Sequence, residues 1–250
     1  MLRALLTLLL LSLFCGLVVL PVTMLGFVHP FEWMRVFLSG TFSKLALWSC
    51  GASLAVEGGS RYVDGSPAFF VGNHQSALDI PVIIDALKGR VRFMAKHTLF
   101  RIPAFGWALT VFGYAPIHRG CPRRAKRDLD RMIDGIHARP SSWVVFPEGT
   151  RSTDGRLLPF RQGTMKICVR AGLPIVPFAI DGSHRVHRSR TLRVHPGPIR
   201  VVFGEAIPAE TLSEMSSKDL NEVVRLRVAG CLDRARGLAV SGDEEGGRSG

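Results

Sequence analysis

A histidine and an aspartate lie five residues apart in the segment Asn73-His74-Gln75-Ser76-Ala77-Leu78-Asp79. On a regular helix, five steps of about 100° would leave the two side chains roughly 140° apart, on different faces. They can meet only if a loop carries His74 and a helix begins near Asp79, a boundary that Pro81 favours. Paired in this way, Asp79 would hold one imidazole nitrogen and leave the other free to take a proton. The alternative is a histidine packed at a strand end, with Asp79 as a helix cap.

Three further segments gather side chains that could bind a substrate. Phe146-Pro147-Glu148-Gly149-Thr150-Arg151-Ser152 follows a predicted strand and places a carboxylate, a hydroxyl and a guanidinium around a glycine. Gly113-Tyr114-Ala115-Pro116-Ile117-His118-Arg119 ends an apolar segment with another arginine. Leu173-Pro174-Ile175-Val176-Pro177-Phe178 has the apolar composition of a buried strand bracketed by prolines. Together with the histidine segment they indicate one site assembled from several loops.

In this order, the four segments resemble the glycerolipid acyltransferase family, specifically the 1-acylglycerol-3-phosphate acyltransferases. That family is marked by NHxxxxD, a Gly-x-x-x-Ile-x-Arg block, FPEGTRS and an apolar strand containing proline. The resemblance covers Asn73 to Phe178 and extends more loosely through Phe203. His118 is a departure, because the family often has an acidic residue just before the arginine of its second block. The departure leaves Arg119 intact, but details of substrate choice at position 118 do not carry over.

The resemblance implies transfer of a fatty acyl group from an acyl thioester, either acyl-CoA or acyl carrier protein. The acceptor would be the sn-2 hydroxyl of 1-acylglycerol-3-phosphate, and the product phosphatidic acid. His74 would act as the catalytic general base and Asp79 would orient it. The substrate hydroxyl attacks directly, so neither a cofactor nor a protein nucleophile is expected. The absence of a Gly-x-Ser-x-Gly elbow from the sequence agrees with this mechanism.

The same resemblance supplies candidates for binding the substrate. Arg119 and Arg151 suit bidentate contact with the acceptor phosphate. Lys96, which follows a predicted strand, is a third cation suggested by position alone. Glu148 would bind acceptor hydroxyls or brace Arg151. Backbone amides near the His74 loop or in the Glu148-Gly149-Thr150 turn would hold the oxyanion, and the sequence does not choose between them.

Three other functions would share some of these features. A sister enzyme acting on another lyso-lipid or an aminolipid, such as lyso-ornithine lipid, would carry nearly the same motifs. A non-enzymatic membrane or nucleic-acid binding module could use the basic helix 123–131, but it would not need His74, Asp79 and Glu148. We therefore expect no nucleic-acid partner. The His184-x-x-His187 pair lacks a third ligand, so no metal site is expected.

Composition and the first 50 residues predict a membrane protein. The chain of 250 residues is 47% hydrophobic and carries a formal charge of +12, which favours polyanionic partners such as an anionic membrane. No charge occurs from Ala4 to Val28, and as a helix that run would reach roughly 37 Å, enough to cross an apolar layer of about 30 Å. Pro21 would kink or end such a helix. The stretch 31–50 is typical of an interfacial amphipathic helix with tryptophan anchors. The two segments could form a hairpin within one leaflet, or the first segment could span the membrane. We expect the protein to be located at a membrane, with its active site facing the cytoplasm. If the organism is a bacterium, that membrane is the inner membrane.

Beyond Gly58, short apolar runs alternate with helical stretches. This pattern predicts an α/β fold with a mixed, largely parallel sheet flanked by helices, in which active residues lie in loops beyond the strand ends. Residues 192–203 are predicted to form a hairpin across Pro196-Gly197-Pro198. The predicted organisation is a membrane-associated helical segment at 1–50, an acyltransferase domain at 51–236 and a disordered tail at 237–250. Five scattered cysteines without a CxxC pair indicate free thiols.

Overall fold

A single seven-stranded sheet forms the centre of the computed structural model, which describes residues 2–19, 21, 32–118, 120–188, 191 and 193–244. The strands are β1 (Ala52–Glu57), β2 (Phe69–Gly72), β3 (Val91–Lys96), β4 (Ala115–Ile117), β5 (Ser142–Val145), β6 (Ile175–Asp181) and β7 (Gly197–Phe203). Their order is β1-β7-β6-β2-β5-β3-β4. Every neighbouring pair is parallel except β6 and β7. The predicted mixed, largely parallel sheet is confirmed.

Helices connect the strands and cover both faces of the sheet. They are α1 (Leu2–Phe14), α2 (Glu32–Cys50), α3 (Asp79–Ala86), α4 (Phe105–Val111), α5 (Pro122–Ala138), α6 (Gln162–Ala171), α7 (Ser183–Val186), α8 (Ala209–Glu214) and α9 (Ser217–Glu244). A π-helical turn, Cys15–Val19, continues α1, and short 3-10 helices lie at Ser60–Tyr62 and His97–Arg101. The helical crossovers allow the strands to run parallel, because a parallel connection needs a dozen or more residues.

Two apolar cores lie on opposite faces of the sheet. Successive side chains of a strand point to opposite faces, so Phe70 joins a core with α2, α3 and α4, while Phe69 joins one with α5, α6 and α9. All seven residues of β6 are buried, as expected for a strand covered on both faces. The sheet is therefore a rigid support for the loops at its edges.

The N-terminal helices pack against each other and against the domain. Cys15 and Val19 share a core with Leu38 and Leu47 of α2, so one side of α2 is interior and not interfacial. The other side of α2 exposes the aromatic residues Trp33, Phe37 and Trp48. The helix α1 and the π-helical turn after it expose leucines: Leu2, Leu5, Leu9 and Leu13 in α1 and Leu17 in the turn. Among the described residues, one helix, Leu2–Val19, is long and apolar enough to cross a membrane by length and composition. In the remainder of the predicted apolar run 4–28, only Pro21 is described; residues 20 and 22–28 lie outside the described residues.

Two predictions made from the sequence are corrected. Residues 192–203 do not form a hairpin, because β7 begins at Gly197 and pairs with β1 and β6. Val194 forms an isolated bridge with His187 instead. The Pro-Gly-Pro segment favours a local turn, but β7 instead pairs with β1, which is distant in the sequence, and with β6. The tail prediction also began too early, since α9 continues to Glu244; an established helix gains one hydrogen bond for each residue added. Residues 245–250 lie outside the described residues.

Candidate active site

The predicted site residues that the structure describes lie at one edge of the sheet, at the carboxyl ends of four strands. Strands β2, β5, β3 and β4 are adjacent and parallel, so their carboxyl ends lie at the same edge. His74 follows β2 and Glu148 follows β5, whereas Lys96 ends β3 and His118 follows β4. Residues beyond the carboxyl ends of parallel strands are the usual ligand-binding positions of such sheets. Arg119, the next residue after His118, lies outside the described residues.

His74 and Asp79 are hydrogen-bonded to each other. The Nδ1 atom of His74 lies 2.7 Å from Oδ2 of Asp79. Asp79 is the first residue of α3, as its predicted pairing required, and is fully buried. The same Oδ2 accepts hydrogen bonds from the backbone amides of Gln75 at 2.6 Å and Ser76 at 2.9 Å. The carboxylate is thus fixed by the loop that carries the histidine, and Nε2 of His74 remains available to exchange a proton with a substrate.

The histidine ring is supported by an aromatic ring from the second motif. The rings of His74 and Phe146 are stacked, with centroids 4.2 Å apart and an interplanar angle of 10°. The Ser152 amide donates to the His74 carbonyl at 2.8 Å. This role of Phe146 was not predicted, although its position at the start of FPEGTRS was a usable signal. With 14% of its side chain exposed, His74 is restrained but still reachable.

Asn73 anchors the start of the catalytic loop to the next strand. Its side-chain amide donates to the Ile180 carbonyl and its carbonyl oxygen accepts from the Ile180 amide, each at 2.8 Å. The preceding Gly72 lies so close to Phe178 that an added Cβ would come within 2.5 Å of the Phe178 ring. This role of Asn73 was not predicted, because it depends on β6 lying beside β2.

Glu148 is buried beside the His74–Asp79 pair. Only 3% of the residue is exposed, and Oε1 accepts a long hydrogen bond of 3.4 Å from the His74 amide. Burial raises the pKa of Glu148 to about 8; hydrogen bonds from the backbone amides of His74 and Leu158 oppose that rise, and the charge of Asp79 adds to it. Glu148 is therefore mainly protonated at pH 7. Its Oε2 atom is buried without a hydrogen-bond partner among the described residues.

The turn that follows Glu148 requires a glycine. Gly149 has φ of +68°, and an added Cβ would lie 2.5 Å from Nε of Arg161. Thr150 and Arg151, the next residues, are both exposed. Among the described side chains, Arg151 forms no ion pair, so the suggested brace from Glu148 is not seen. Its guanidinium group is free to contact an anion at this edge.

Lys96, another of the predicted cations, is next in sequence to one of two stacked histidines. Lys96 is exposed at the end of β3. Next to it, the ring of His97 stacks on that of His118, with centroids 3.9 Å apart. His118 also places Nδ1 2.8 Å from Oδ2 of Asp128 in α5. The residue that departs from the family pattern is therefore held in place by a carboxylate from the basic helix.

Gln75 and Ser76 of the catalytic loop are hydrogen-bonded to residues near the end of β6 and beyond it. The Ser76 hydroxyl donates to the His187 carbonyl at 2.7 Å. His184 Nδ1 lies 2.9 Å from Oε1 of Gln75. The carbonyl of Gly155 accepts from Gln75 at 3.3 Å and from Arg236 of α9 at 2.8 Å. Within the described part of the chain, no three His, Cys, Asp or Glu side chains are grouped as metal ligands.

Comparison with known proteins gives a consistent result. A family model described as Acyltransferase matches residues 53–181. A 1-acyl-sn-glycerol-3-phosphate acyltransferase of Cocos nucifera is 30% identical over 207 residues, covering 82% of this chain and 67% of that protein. Another of the same name, from Pseudomonas aeruginosa, is 28% identical over 203 residues, covering 78% of this chain and 76% of that protein.

The fold is also shared with a solved enzyme. The crystal structure of the 1-acyl-sn-glycerophosphate acyltransferase of Thermotoga maritima superposes with a TM-score of 0.72 at 26% identity, covering 90% of this chain and 95% of that one. The chain spans only 41% of a chloroplastic relative from Brassica napus, at 35% identity. The matched region contains His74, Asp79 and Glu148. This chain belongs to the acyltransferase family, among the 1-acyl-sn-glycerol-3-phosphate acyltransferases.

Proposed function

We propose that the chain transfers a fatty acyl group from an acyl thioester to the sn-2 hydroxyl of 1-acylglycerol-3-phosphate, giving phosphatidic acid. The hydrogen bond of 2.7 Å between His74 and Asp79 carries this proposal. Nε2 of His74 removes the hydroxyl proton as the acceptor oxygen forms a bond with the thioester carbon. Asp79 stabilises the resulting imidazolium through Nδ1.

The second half of the reaction returns the proton. The tetrahedral intermediate collapses, its carbon–sulfur bond breaks, and the imidazolium of His74 protonates the departing thiolate. The acceptor hydroxyl is the nucleophile, so the reaction requires neither an acyl-enzyme nor a cofactor. The acyl donor is acyl-CoA or acyl carrier protein, since both present the same thioester.

The oxyanion accepts hydrogen bonds from backbone amides that do not already donate to another group in the protein. The amides of Gln75 and Ser76 bond to Asp79, and that of Gly149 donates to the Phe146 carbonyl at 3.2 Å. Within the described residues, no hydrogen-bond acceptor is assigned to the Thr150 amide. We therefore place the oxyanion beside the Gly149–Thr150 turn, where a donor fixed before the reaction costs little reorganisation.

The acceptor phosphate is bound by the cations of this edge. Arg151 and Lys96 are exposed there, and Arg119 follows the anchored His118 in sequence. Glu148, protonated at pH 7, can donate a hydrogen bond to an acceptor oxygen through its free Oε2 atom. These groups favour a phosphorylated acceptor over a zwitterionic aminolipid.

The substrates also require a membrane surface. Lysophospholipids partition into bilayers, whereas acyl-CoA and acyl carrier protein arrive from the cytosol. The exposed leucines of α1 and the exposed Trp33, Phe37 and Trp48 of α2 supply an apolar face for membrane association. The active site therefore faces the cytoplasm, at the inner membrane if the organism is a bacterium.

A direct assay tests the proposal. Purified full-length protein in detergent is mixed with acyl-CoA or acyl carrier protein and 1-acylglycerol-3-phosphate, and the released thiol and the lipid product are measured. We expect phosphatidic acid to form in equal amount to the released thiol. Lyso-ornithine lipid serves as a parallel acceptor. Transfer to it alone would contradict the assignment of the acceptor, and transfer to neither would contradict the function.

A further inference from the structure

A cavity of about 690 Å³ lies at the opposite edge of the sheet from His74. It is lined by residues at the beginnings of β3 and β5, with Phe70 of β2 in its wall. Phe70 and His74 are four residues apart along an extended segment, which corresponds to roughly 13 Å. The cavity is therefore separate from the catalytic edge, and the proposed transfer reaction does not use it.

Arginines surround this cavity in excess of carboxylates. Arg90, Arg92 and Arg139 line it, with Glu32 and Asp64. Asp64 is 3.4 Å from Arg90, and both side chains are more than half exposed, so that ion pair is weak. Among the described side chains, no carboxylate lies within ion-pairing distance of Arg139.

Glu32 is already engaged by an arginine outside the cavity lining. Arg35 is buried and binds both carboxylate oxygens of Glu32. Arg92 reaches the same carboxylate only at 3.4 Å. Counting Arg35, four guanidinium groups share two carboxylates, which leaves a formal excess of 4 − 2 = +2 at the cavity.

Arg92 is the most buried of the three arginines that line the cavity, and its charge is only partly compensated. Burial lowers the pKa of its guanidinium, and repulsion from Arg35 and Arg139 adds to that effect, against the attraction of Glu32. Its Nε atom is buried without a hydrogen-bond acceptor among the described residues. A partly buried cation without a full counter-charge is unfavourable, and an anion in the cavity would offset that cost.

Neutral donors and apolar walls complete the cavity. Ser141 accepts a hydrogen bond from the Trp143 indole at 3.1 Å, and Ser142 accepts one from the Ala68 amide at 3.3 Å. Each serine thus uses its oxygen as an acceptor, and its hydroxyl hydrogen can be donated to a ligand. The apolar part of the lining includes Val63, Pro67, Phe70, Leu87, Val91 and Pro140.

We propose that this cavity is a second binding site that takes a phosphate-bearing ligand, with the phosphate held by Arg92, Arg139 and the serine hydroxyls. Guanidinium groups match phosphate oxygens bidentately. The volume falls within the range of about 300–1,000 Å³ that small-molecule sites occupy. The phosphate can belong to a soluble phosphomonoester or to a phospholipid headgroup, and the apolar wall accepts the carbon skeleton of either.

Binding measurements on the full-length protein in detergent micelles test this proposal. Equilibrium dialysis with radiolabelled glycerol 3-phosphate covers the soluble source, and native mass spectrometry with phosphatidate-doped micelles covers the lipid source. The test variant is Arg90→Gln/Arg139→Gln, which removes the proposed phosphate contact of Arg139 and a second positive charge of the lining. These two side chains are exposed, whereas Arg92 is partly buried. The control is Arg227→Gln, an exposed arginine on α9 outside the cavity.

We expect the native protein and the control to bind one more equivalent of a probe than the double variant does. If the double variant still binds the additional equivalent, its affinity should be at least tenfold weaker. Thermal unfolding checks that the double variant is folded, and Arg139→Lys, which keeps the charge, is expected to retain the equivalent. Whichever probe shows the loss identifies the source of the phosphate. Equal binding of both probes by the double variant and the control would overturn the proposal. Because binding and not transfer is measured, that result would leave the proposed function untouched.

Discussion

The rings of His74 and Phe146 are stacked, with an interplanar angle of 10° and centroids 4.2 Å apart. The hydrogen bond to Asp79 fixes one end of the imidazole, and the stack fixes the plane of its ring. Together they aim Nε2 in one direction. A general base must lie within hydrogen-bond reach of the proton that it removes, so the direction of Nε2 decides how often the loop is ready to react.

Replacing the supporting ring should slow the chemical step. In Phe146→Leu the side chain stays apolar but the stack is lost, so we expect kcat to fall by roughly tenfold with little change in either KM, since misplacing a catalytic group is costly. The control is Phe112→Leu, because Phe112 is a buried phenylalanine that packs against Phe42 and Tyr114 and not against His74. Steady-state kinetics check both variants. An equal loss of kcat in both would show a general effect of packing.

Glu148 should make the protein less stable as pH rises. Its pKa is about 8 in the folded protein and is ordinarily 4.5, so the folded state binds more protons between these values. Stability then falls with rising pH across this window, by up to about 1.4 kcal/mol per unit. Glu148→Gln cannot ionise and should lose this dependence.

Thermal unfolding at pH 5 and pH 8.5 checks the prediction about Glu148. The drop in unfolding temperature between the two pH values should be smaller in Glu148→Gln than in the native protein. Glu210→Gln, at an exposed position of α8, should keep the native drop. The same drop in all three proteins would mean that Glu148 ionises normally.

The exposed cations should affect the acceptor more than the donor. Charge-assisted hydrogen bonds contribute about 1.5–3 kcal/mol, so Arg151→Ala should raise KM for 1-acylglycerol-3-phosphate by about tenfold or more. Arg119→Ala should act in the same direction, and Lys96→Ala more weakly. Arg156→Ala is the control, because Arg156 is exposed and pairs with Asp154. Equal changes in KM for the acyl thioester and the acceptor would point to a structural role.

Membrane attachment should depend on the exposed leucines of α1. Deletion of residues 1–50 would remove Leu38 and Leu47 from the core, so substitution is the sharper experiment. Each buried leucine contributes about 1.5–3 kcal/mol, against about 1 kcal/mol for an arginine near anionic headgroups. Leu5→Ser/Leu9→Ser/Leu13→Ser should therefore release the protein from membranes, whereas high salt or alkaline carbonate should not release the native chain.

Membrane pelleting in low and high salt measures this attachment. Leu226→Ser, which changes an exposed leucine of α9, should pellet like the native protein. Release of the native chain by salt alone would mean that charge, and not the apolar face, holds the enzyme at the membrane.

The sequence was most informative where the relevant contacts are local. His74 and Asp79 are five residues apart, so helix geometry and Pro81 predict the one arrangement in which they can meet, a loop at His74 and a helix that begins near Asp79. The resemblance to the acyltransferase family then favoured that arrangement over a packed histidine and a helix cap. The positions of Asn73 and Phe146 depend instead on β6 and β5 flanking β2. No local pattern in a single sequence indicates the order of the strands in a sheet. The hairpin across Pro196-Gly197-Pro198 was wrongly predicted for the same reason, because the strand partners of β7 could not be read from its neighbours in sequence.

The role of α9 was hidden for the same reason. Its apolar face packs in the core with α5 and α6, yet Arg236 of the same helix reaches the Gly155 carbonyl at 2.8 Å. That contact joins residues 81 positions apart. In a chain with so many arginines, the sequence does not distinguish Arg236 from the others, and only the fold shows that it contacts this loop.

The most direct test of the mechanism is the turnover of His74→Ala in the purified full-length protein, followed as release of thiol from the acyl donor in the presence of 1-acylglycerol-3-phosphate. Asp79→Asn is measured beside it, with His195→Ala as the control because His195 is exposed and distant in sequence from the catalytic loop. We predict that kcat falls by at least ~100-fold in His74→Ala, falls substantially in Asp79→Asn, and stays native in His195→Ala, with all three proteins folded. Near-native turnover by a folded His74→Ala would contradict the mechanism.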